Sequence, residues 1–180
     1  MSNFKELSNP LPIESIDFRI QSINKGGYAT ILAYKDARVD MQRLDEVVGP
    51  ENWQRKHLRE NHNCTVALWC DVKEQWISKE DTGTESNTEQ QKGLASDSFK
   101  RACFNWGIGR ELYDYPLISV KLNDNEVDLT ATPRPKATWN LKLKEWVWYS
   151  EFEGQQITFL AASDGKTTRF TWGKMKQKGE

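Results

Sequence analysis

The chain has 180 residues, and its 25 Lys and Arg against 26 Asp and Glu give a formal net charge of −1. This length allows one compact domain. The near-zero net charge excludes a polycation, and 28% charged with 37% hydrophobic residues excludes a disordered chain. No apolar run reaches the roughly 18 residues of a membrane helix, and the N-terminus lacks a secretion signal. The three cysteines lack the spacing of a disulfide framework. We therefore expect a cytoplasmic protein without a membrane partner.

The first half of the chain predicts a hairpin and a helix. Residues 17–34 alternate loosely around the turn residues at 24–27, which favours two antiparallel strands. Asp36 is a suitable N-cap for the helix that follows, and Gly49-Pro50 would end it. Apolar residues recur along this helix with a spacing of four, three and four, at Ala37, Met41, Leu44 and Val48.

The middle of the chain predicts a second hairpin and a long helix. Strict alternation over residues 64–72 indicates a strand, and residues 76–81 return as its partner. Residues 86–89 have the pattern of a capping box that opens a helix ending before Gly107. On a helical wheel, Leu94, Phe99, Ala102 and Trp106 share the apolar face, and Lys100, Arg101 and Phe104 lie across from it.

The last third of the chain predicts strands. A strand and a loop are expected over residues 117–135, and then three strands of a small meander over 139–149, 156–162 and 167–172. Asp164-Gly165 is a strong turn pattern between the last two. The fold class is therefore α+β, an antiparallel sheet packed on a long helix with a C-terminal β-meander.

The near-neutral total hides a segregation of charge along the chain. Residues 71–90 carry a local charge of −4, and residues 91–110 carry Lys92, Lys100, Arg101 and Arg110 against Asp97, a local charge of +3. Cations beside the outward-facing Phe104 suit a single-stranded nucleic acid, because cations contact phosphates and a ring can stack on a base. A plain solvated helix face is the alternative.

The sequence gives only weak signals for a phosphate loop, a zinc site or a nuclease site. The glycines at 107 and 109 are not followed by the Lys-Ser/Thr of a phosphate loop, and His57, His62, Cys64 and Cys70 lack the spacing of a zinc site. Asp71-Val72-Lys73 places an acid and a lysine on one face of the predicted strand, as in some magnesium-dependent nucleases. A magnesium-dependent nuclease of a recombination system therefore remains an alternative function, as does a plain single-strand DNA-binding scaffold.

Two motifs resemble one family. Residues 36–53 (DARVDMQRLDEVVGPENW) look like the first-helix signature of the Rad-fifty-two-like single-strand annealing superfamily, and are most similar to its phage Sak and DdrA-like branch. Residues 80–83 (EDTG), followed by residues 98–102 (SFKRA), resemble its acidic-glycine turn and long helix. The resemblance implies a β-β-β-α core, subunits that assemble into rings, and annealing of complementary DNA strands without nucleotide hydrolysis, cofactor or metal.

The resemblance also implies a DNA-binding surface without catalytic residues. Lys100 and Arg101 match the principal phosphate-contacting pair of the family, and Arg38 matches a basic residue at the start of the first helix. Tyr34 and Lys35 match the adjacent groove segment, and Lys25 matches a further basic position. Phe104 stands where the eukaryotic protein has an arginine, which implies stacking or packing there. Lys92, in the same basic segment, completes the predicted set of eight residues. The outer DNA site of the eukaryotic protein has no clear match.

The expected protein is an annealing factor of phage-type recombination and DNA repair in a bacterial host cell. Its expected partners are single-stranded DNA of any sequence, further copies in a ring, and a phage exonuclease or host single-strand-binding protein. Residues 1–130 are predicted to form the annealing core domain, with residues 131–180 as a β-rich extension of that domain.

Overall fold

The chain folds into a mixture of antiparallel sheets and helices. A computed structural model describes residues 4–84 and 90–175, with residues 90–92 described by their backbone alone. The described strands are β1 (Asp17–Ile23), β2 (Tyr28–Tyr34), β3 (Trp53–Leu58), β4 (Asn63–Cys70), β5 (Gln75–Thr82), β6 (Ile118–Lys121), β7 (Val127–Asp128), β8 (Lys136–Ala137), β9 (Val147–Glu153), β10 (Gln156–Ser163) and β11 (Thr168–Gly173). The α-helices are α1 (Ala37–Val48) and α2 (Gln90–Asn105). The predicted α+β class is confirmed.

The chain divides into two compact units. The first unit consists of Met1–Leu11 and Lys35–Arg110, and the second of Pro12–Tyr34 and Glu111–Glu180. β1 and β2 belong to the second unit because β2 pairs with β6, far along the chain. The domain boundary at residue 130 remains a prediction.

The first unit is built on a three-stranded antiparallel sheet. The strand order is β3-β4-β5, and the register places Trp53 opposite Leu68 and Leu68 opposite Ile77. α2 packs on β4 and β5 and buries Leu94, Phe99, Ala102 and Cys103. Three strands and then a helix thus form the β-β-β-α arrangement that the family resemblance implies.

α1 follows its predicted boundaries. The Asp36 carboxylate accepts a hydrogen bond from the Arg38 backbone N–H at 2.8 Å, so Asp36 is the N-cap. Leu44 and Val48 are buried on its apolar face. Gly49 ends the helix at a φ of 88°, a left-handed conformation that favours glycine.

The second unit contains the predicted hairpin and meander. β1 and β2 pair antiparallel around the turn at 24–27, and β2 pairs with β6. The last three strands form a sheet in the order β11-β10-β9, which confirms the C-terminal meander. The core of the second unit comprises Ile23, Ala29, Ile31, Ile118, Val120, Leu122, Val127, Trp146, Ile157, Leu160 and Ala162.

Several strand boundaries were predicted wrongly. The strand predicted over residues 64–72 ends at Cys70, and Val72 is 77% exposed in the turn that follows. Residues 139–149 do not form one strand, because Leu143–Glu145 is a 3₁₀ helix and β9 begins only at Val147. β3 was not predicted from its residues. The capping box at 86–89 lies outside the described residues.

Candidate nucleic-acid interface

Lys100 and Arg101 are neighbours on α2 and face different partners. Successive helix positions are about 100° apart, so the two side chains diverge. Arg101 is exposed, and its Nε donates to Oδ1 of Asp81 on β5 at 3.3 Å. Among the described residues, the two terminal nitrogens of the Arg101 guanidinium make no hydrogen bond, so they are available to a phosphate.

Lys100, on α2, is half-buried, and its charge acts on Asp36, the N-cap residue of α1. The hydrogen bond from the Arg38 side chain does most to lower the pKa of Asp36, and the charge of Lys100 lowers it further. The charges of Arg38 and Lys100 therefore act on one carboxylate, to which Arg38 is also hydrogen-bonded. The Arg38 side chain is 86% exposed, and its Nε donates to Asp36 Oδ1 at 2.9 Å. Because α1 packs against α2, these two cations come from neighbouring helices.

Lys35 is buried, contrary to its predicted position in a DNA groove. Its side chain is only 7% exposed, and Nζ donates to Oδ1 of the fully buried Asp40. Burial raises the pKa of Asp40 to about 6, although the charge of Lys35 opposes the shift. Gly109 allows this arrangement, because a Cβ there would lie 2.4 Å from Lys35 Cε. In this structure Lys35 anchors α1, and a phosphate cannot reach its ammonium group.

Tyr34 and Lys25 belong to the second unit. Tyr34, at the end of β2, is 40% exposed, and the guanidinium of Arg19 lies 5.6 Å from its ring centre. Lys25 is exposed in the turn between β1 and β2. The side chain of Lys92, the remaining predicted cation, lies outside the described part of α2.

Phe104 is half-buried on the side of α2 that also carries Arg101. The guanidinium of Arg110 lies 5.7 Å from its ring centre. Arg110 donates from Nε to the Phe104 carbonyl at 2.9 Å and from Nη2 to the Asn105 carbonyl at 2.8 Å. Phe104 therefore supports a cation, a role that its outward position on the helical wheel did not reveal.

Lys79 is a second cation at the C-terminal end of α2 that the sequence analysis did not select. Its Nζ donates to the Asn105 carbonyl at 2.7 Å and lies 4.4 Å from the ring centre of Trp106. Burial lowers the pKa of Lys79, and the charge of Arg110 lowers it further, so these two cations lie close together. Cations near a helix C-terminus are favoured by the helix dipole, and that rule could have identified Arg110 from the sequence. It could not have identified Lys79, which β5 brings to this position.

The geometry predicted for a nuclease is absent. Asp71 and Lys73 are exposed in the turn after β4 and do not share a strand face, because the strand ends at Cys70. Within residues 4–84 and 90–175, no three His, Cys, Asp or Glu side chains form a group that could hold a metal ion. Neither described α-helix is long and apolar enough to cross a lipid bilayer.

Comparison with known proteins gives two relatives that share a name. Single-stranded DNA-binding protein DdrA of Deinococcus radiodurans is 30% identical over 115 residues, which cover 62% of this chain and 55% of that protein. The protein of the same name from Deinococcus deserti is 30% identical over 145 residues, which cover 79% of this chain and 68% of the relative. No family model matches the chain, and no solved structure matches it. The chain belongs to the DdrA family.

Proposed function

We propose that this protein binds single-stranded DNA through the surface formed by Arg38, Lys100 and Arg101, and that it anneals complementary strands without ATP. The observation that carries the proposal is the packing of α1 against α2, which joins Arg38 and Lys100, whose charges both act on Asp36, with the exposed Arg101 one position further along α2. Both relatives are named single-stranded DNA-binding proteins, which supports single-stranded DNA as the ligand.

The chemistry of this surface suits binding that is independent of sequence. Its charged groups are guanidinium and ammonium ions, which contact phosphates and carry no information about bases. A strand held by its backbone leaves its bases free to pair, which annealing requires. We accordingly propose a binding protein and not an enzyme, with no cofactor and no metal. Lys35 is left out of the proposed surface because its ammonium group is bound to Asp40.

Annealing also requires a long strand to be held at many adjacent sites, which a ring of subunits would provide. We therefore propose a homo-oligomeric ring and membership of the Rad-fifty-two-like superfamily, in its phage Sak and DdrA-like branch. A phage exonuclease or host single-strand-binding protein would be the further partner, in the cytoplasm of a bacterial host. In this proposal residues 1–130 are the annealing core and residues 131–180 extend it.

The binding surface is tested with the double variant Lys100→Ala, Arg101→Ala. Each phosphate contact on a single strand contributes roughly 0.7 to the slope of log affinity against log salt concentration. The variant loses two contacts, so it is expected to bind roughly 25-fold more weakly near 0.1 M salt, with a slope smaller by about 1.4. Fluorescence anisotropy with a labelled oligonucleotide at several salt concentrations measures both quantities.

A matched control removes two positive charges elsewhere on the first unit. Lys56 lies on the face of the sheet away from α2, and Lys73 lies in the β4–β5 turn; both are exposed. Lys56→Ala, Lys73→Ala is expected to bind like the unmodified protein. An equal loss of affinity in the two double variants would contradict the assigned surface and indicate a nonspecific effect of net charge.

A further inference from the structure

Arg110 is held in place at the C-terminal end of α2 while part of its guanidinium remains available. Two backbone carbonyls, of Phe104 and Asn105, accept its Nε and Nη2, and the ring of Phe104 lies beneath it. Its Nη1 makes no hydrogen bond among the described residues. Because these contacts already restrict the side chain, a ligand that binds Nη1 would cause only a small further loss of side-chain conformational entropy.

Two cations, Lys79 and Arg110, meet at this helix end. Lys79 donates to the same Asn105 carbonyl, so two positive charges lie around one oxygen atom. The C-terminal end of a helix supplies only about half a negative charge. Within the described chain, neither Lys79 nor Arg110 forms an ion pair, whereas Arg101 pairs with Asp81. The end of α2 therefore keeps an excess of positive charge.

Hydrogen bonds connect this helix end to Arg101. The side-chain amide of Asn105 donates to Asp81 Oδ2 at 3.2 Å, and Asp81 Oδ1 accepts from Arg101. Arg101 and Asn105 are four positions apart and thus lie on the same side of α2, about 6 Å apart along the helix axis. Arg101 and Arg110 therefore lie on either side of Asn105, as two neighbouring cations along one edge of the helix.

We propose that Arg110, supported by Phe104 and backed by Lys79, is a further phosphate contact that extends the Arg101 surface to the end of α2. The ligand class is the phosphodiester backbone of a single-stranded nucleic acid. This proposal rests on the proposed function, because it extends the same surface. In it, Phe104 positions the arginine and does not stack on a base.

The test compares Arg110→Gln with Arg110→Lys. Glutamine keeps an amide donor for the backbone carbonyls but removes the charge, and lysine keeps the charge. We expect Arg110→Gln to bind a labelled oligonucleotide roughly fivefold more weakly near 0.1 M salt, with a salt slope smaller by about 0.7. Arg110→Lys should retain the slope of the unmodified protein. Circular dichroism melting verifies that both variants are folded at the temperature of the assay.

Arg43→Gln is the matched control. Arg43 also donates to backbone carbonyls, those of Glu6, Asn9 and Pro10, but it is half-buried and both of its terminal nitrogens are occupied. It should bind DNA like the unmodified protein. Unchanged affinity and slope in Arg110→Gln, with a loss in the Lys100, Arg101 double variant, would overturn this inference alone. Unchanged binding in the double variant would overturn the Arg101 surface, and with it the claim that Arg110 extends that surface.

Discussion

Asp81 accepts a hydrogen bond from Nε of Arg101, and its negative charge competes with that of a phosphate for the guanidinium. The ion pair is partly exposed, so it contributes about 0–1 kcal/mol. Asp81→Asn removes the competing charge and keeps an oxygen acceptor for Arg101. We expect DNA affinity to rise by up to about fivefold, with a steeper salt dependence. Anisotropy titration measures this; a weaker Asp81→Asn complex would show that the carboxylate is needed to position Arg101.

Glu126 and Arg169 form a buried ion pair in the second unit. Arg169 donates from Nη2 to Glu126 Oε2 at 2.7 Å and from Nη1 to Oε1 at 2.9 Å, and Nη1 also reaches Asp164 at 3.0 Å. The hydrogen bonds from Arg169 lower the pKa of Glu126 below its ordinary value of 4.5. A lowered pKa means that this stabilisation is present above pH 4.5 and is lost as the pH falls through the folded-state value.

The free energy of unfolding should therefore decrease as the pH falls below about 4.5. Glu126→Gln should lower it by about 2 kcal/mol at pH 7, because Arg169 then keeps only Asp164 as a carboxylate partner, and should flatten its acid dependence. Near-ultraviolet circular dichroism can follow this change, since the Arg169 guanidinium lies 4.6 Å from the ring centre of Trp146. An acid dependence as steep as that of the unmodified protein would contradict the role of Glu126.

The sequence predicts the exposure of a side chain where helical periodicity determines which way that side chain faces. Arg101 is exposed as the helical wheel predicts. Lys35 precedes α1 by two residues, where no periodicity applies, and its burial depends on Asp40, five residues later. Glu126 and Arg169 are 43 residues apart, and no local pattern connects them.

Asp36, at the N-terminus of α1, contributes both to the stability of the helix and to the position of Arg38 on the proposed surface. Asp36 caps the helix and also pairs with the Arg38 side chain. Asp36→Ala removes the cap, so the free energy of unfolding of the first unit should fall by about 1 kcal/mol. Chemical denaturation followed by far-ultraviolet circular dichroism measures this. A stability equal to that of the unmodified protein would show that α1 does not depend on the cap.

The contact between β5 and α2 depends on a glycine. A Cβ at Gly83 would lie 2.7 Å from the Ser98 backbone nitrogen and 2.9 Å from the Leu94 carbonyl oxygen. Neither backbone atom can move without shifting α2. Gly83→Ala should therefore cost about 1–3 kcal/mol of unfolding free energy and weaken DNA binding by displacing Lys100 and Arg101. Full stability together with full binding would contradict this close packing.

Elements with strong local patterns were predicted well, and β3 shows why others were not. α1 has a cap, a periodic apolar face and a Gly-Pro end, and each of these is visible in the sequence. On β3, the positions that face α2 include Arg55 and His57, which are polar. The Arg55 guanidinium packs 4.9 Å from the ring centre of Phe99, so a charged residue occupies a position where alternation predicts an apolar one.

At the scale of the whole molecule, the near-zero net charge of −1 permits close association of many copies, because self-repulsion is small. If the protein forms the proposed ring, its native mass should be a whole multiple of the 20.9 kDa subunit. Native mass spectrometry or light scattering at the concentrations used for DNA binding measures this. A mass of one subunit at those concentrations would contradict the ring.

The most direct test of the proposed function is the rate at which two complementary labelled oligonucleotides pair, measured by fluorescence without ATP or magnesium. We expect the protein to raise this rate above that of the DNA alone, and the Lys100→Ala, Arg101→Ala variant to lose most of the increase. A rate at or below that of the DNA alone, despite tight binding of each strand, would contradict annealing and identify a plain single-strand-binding protein.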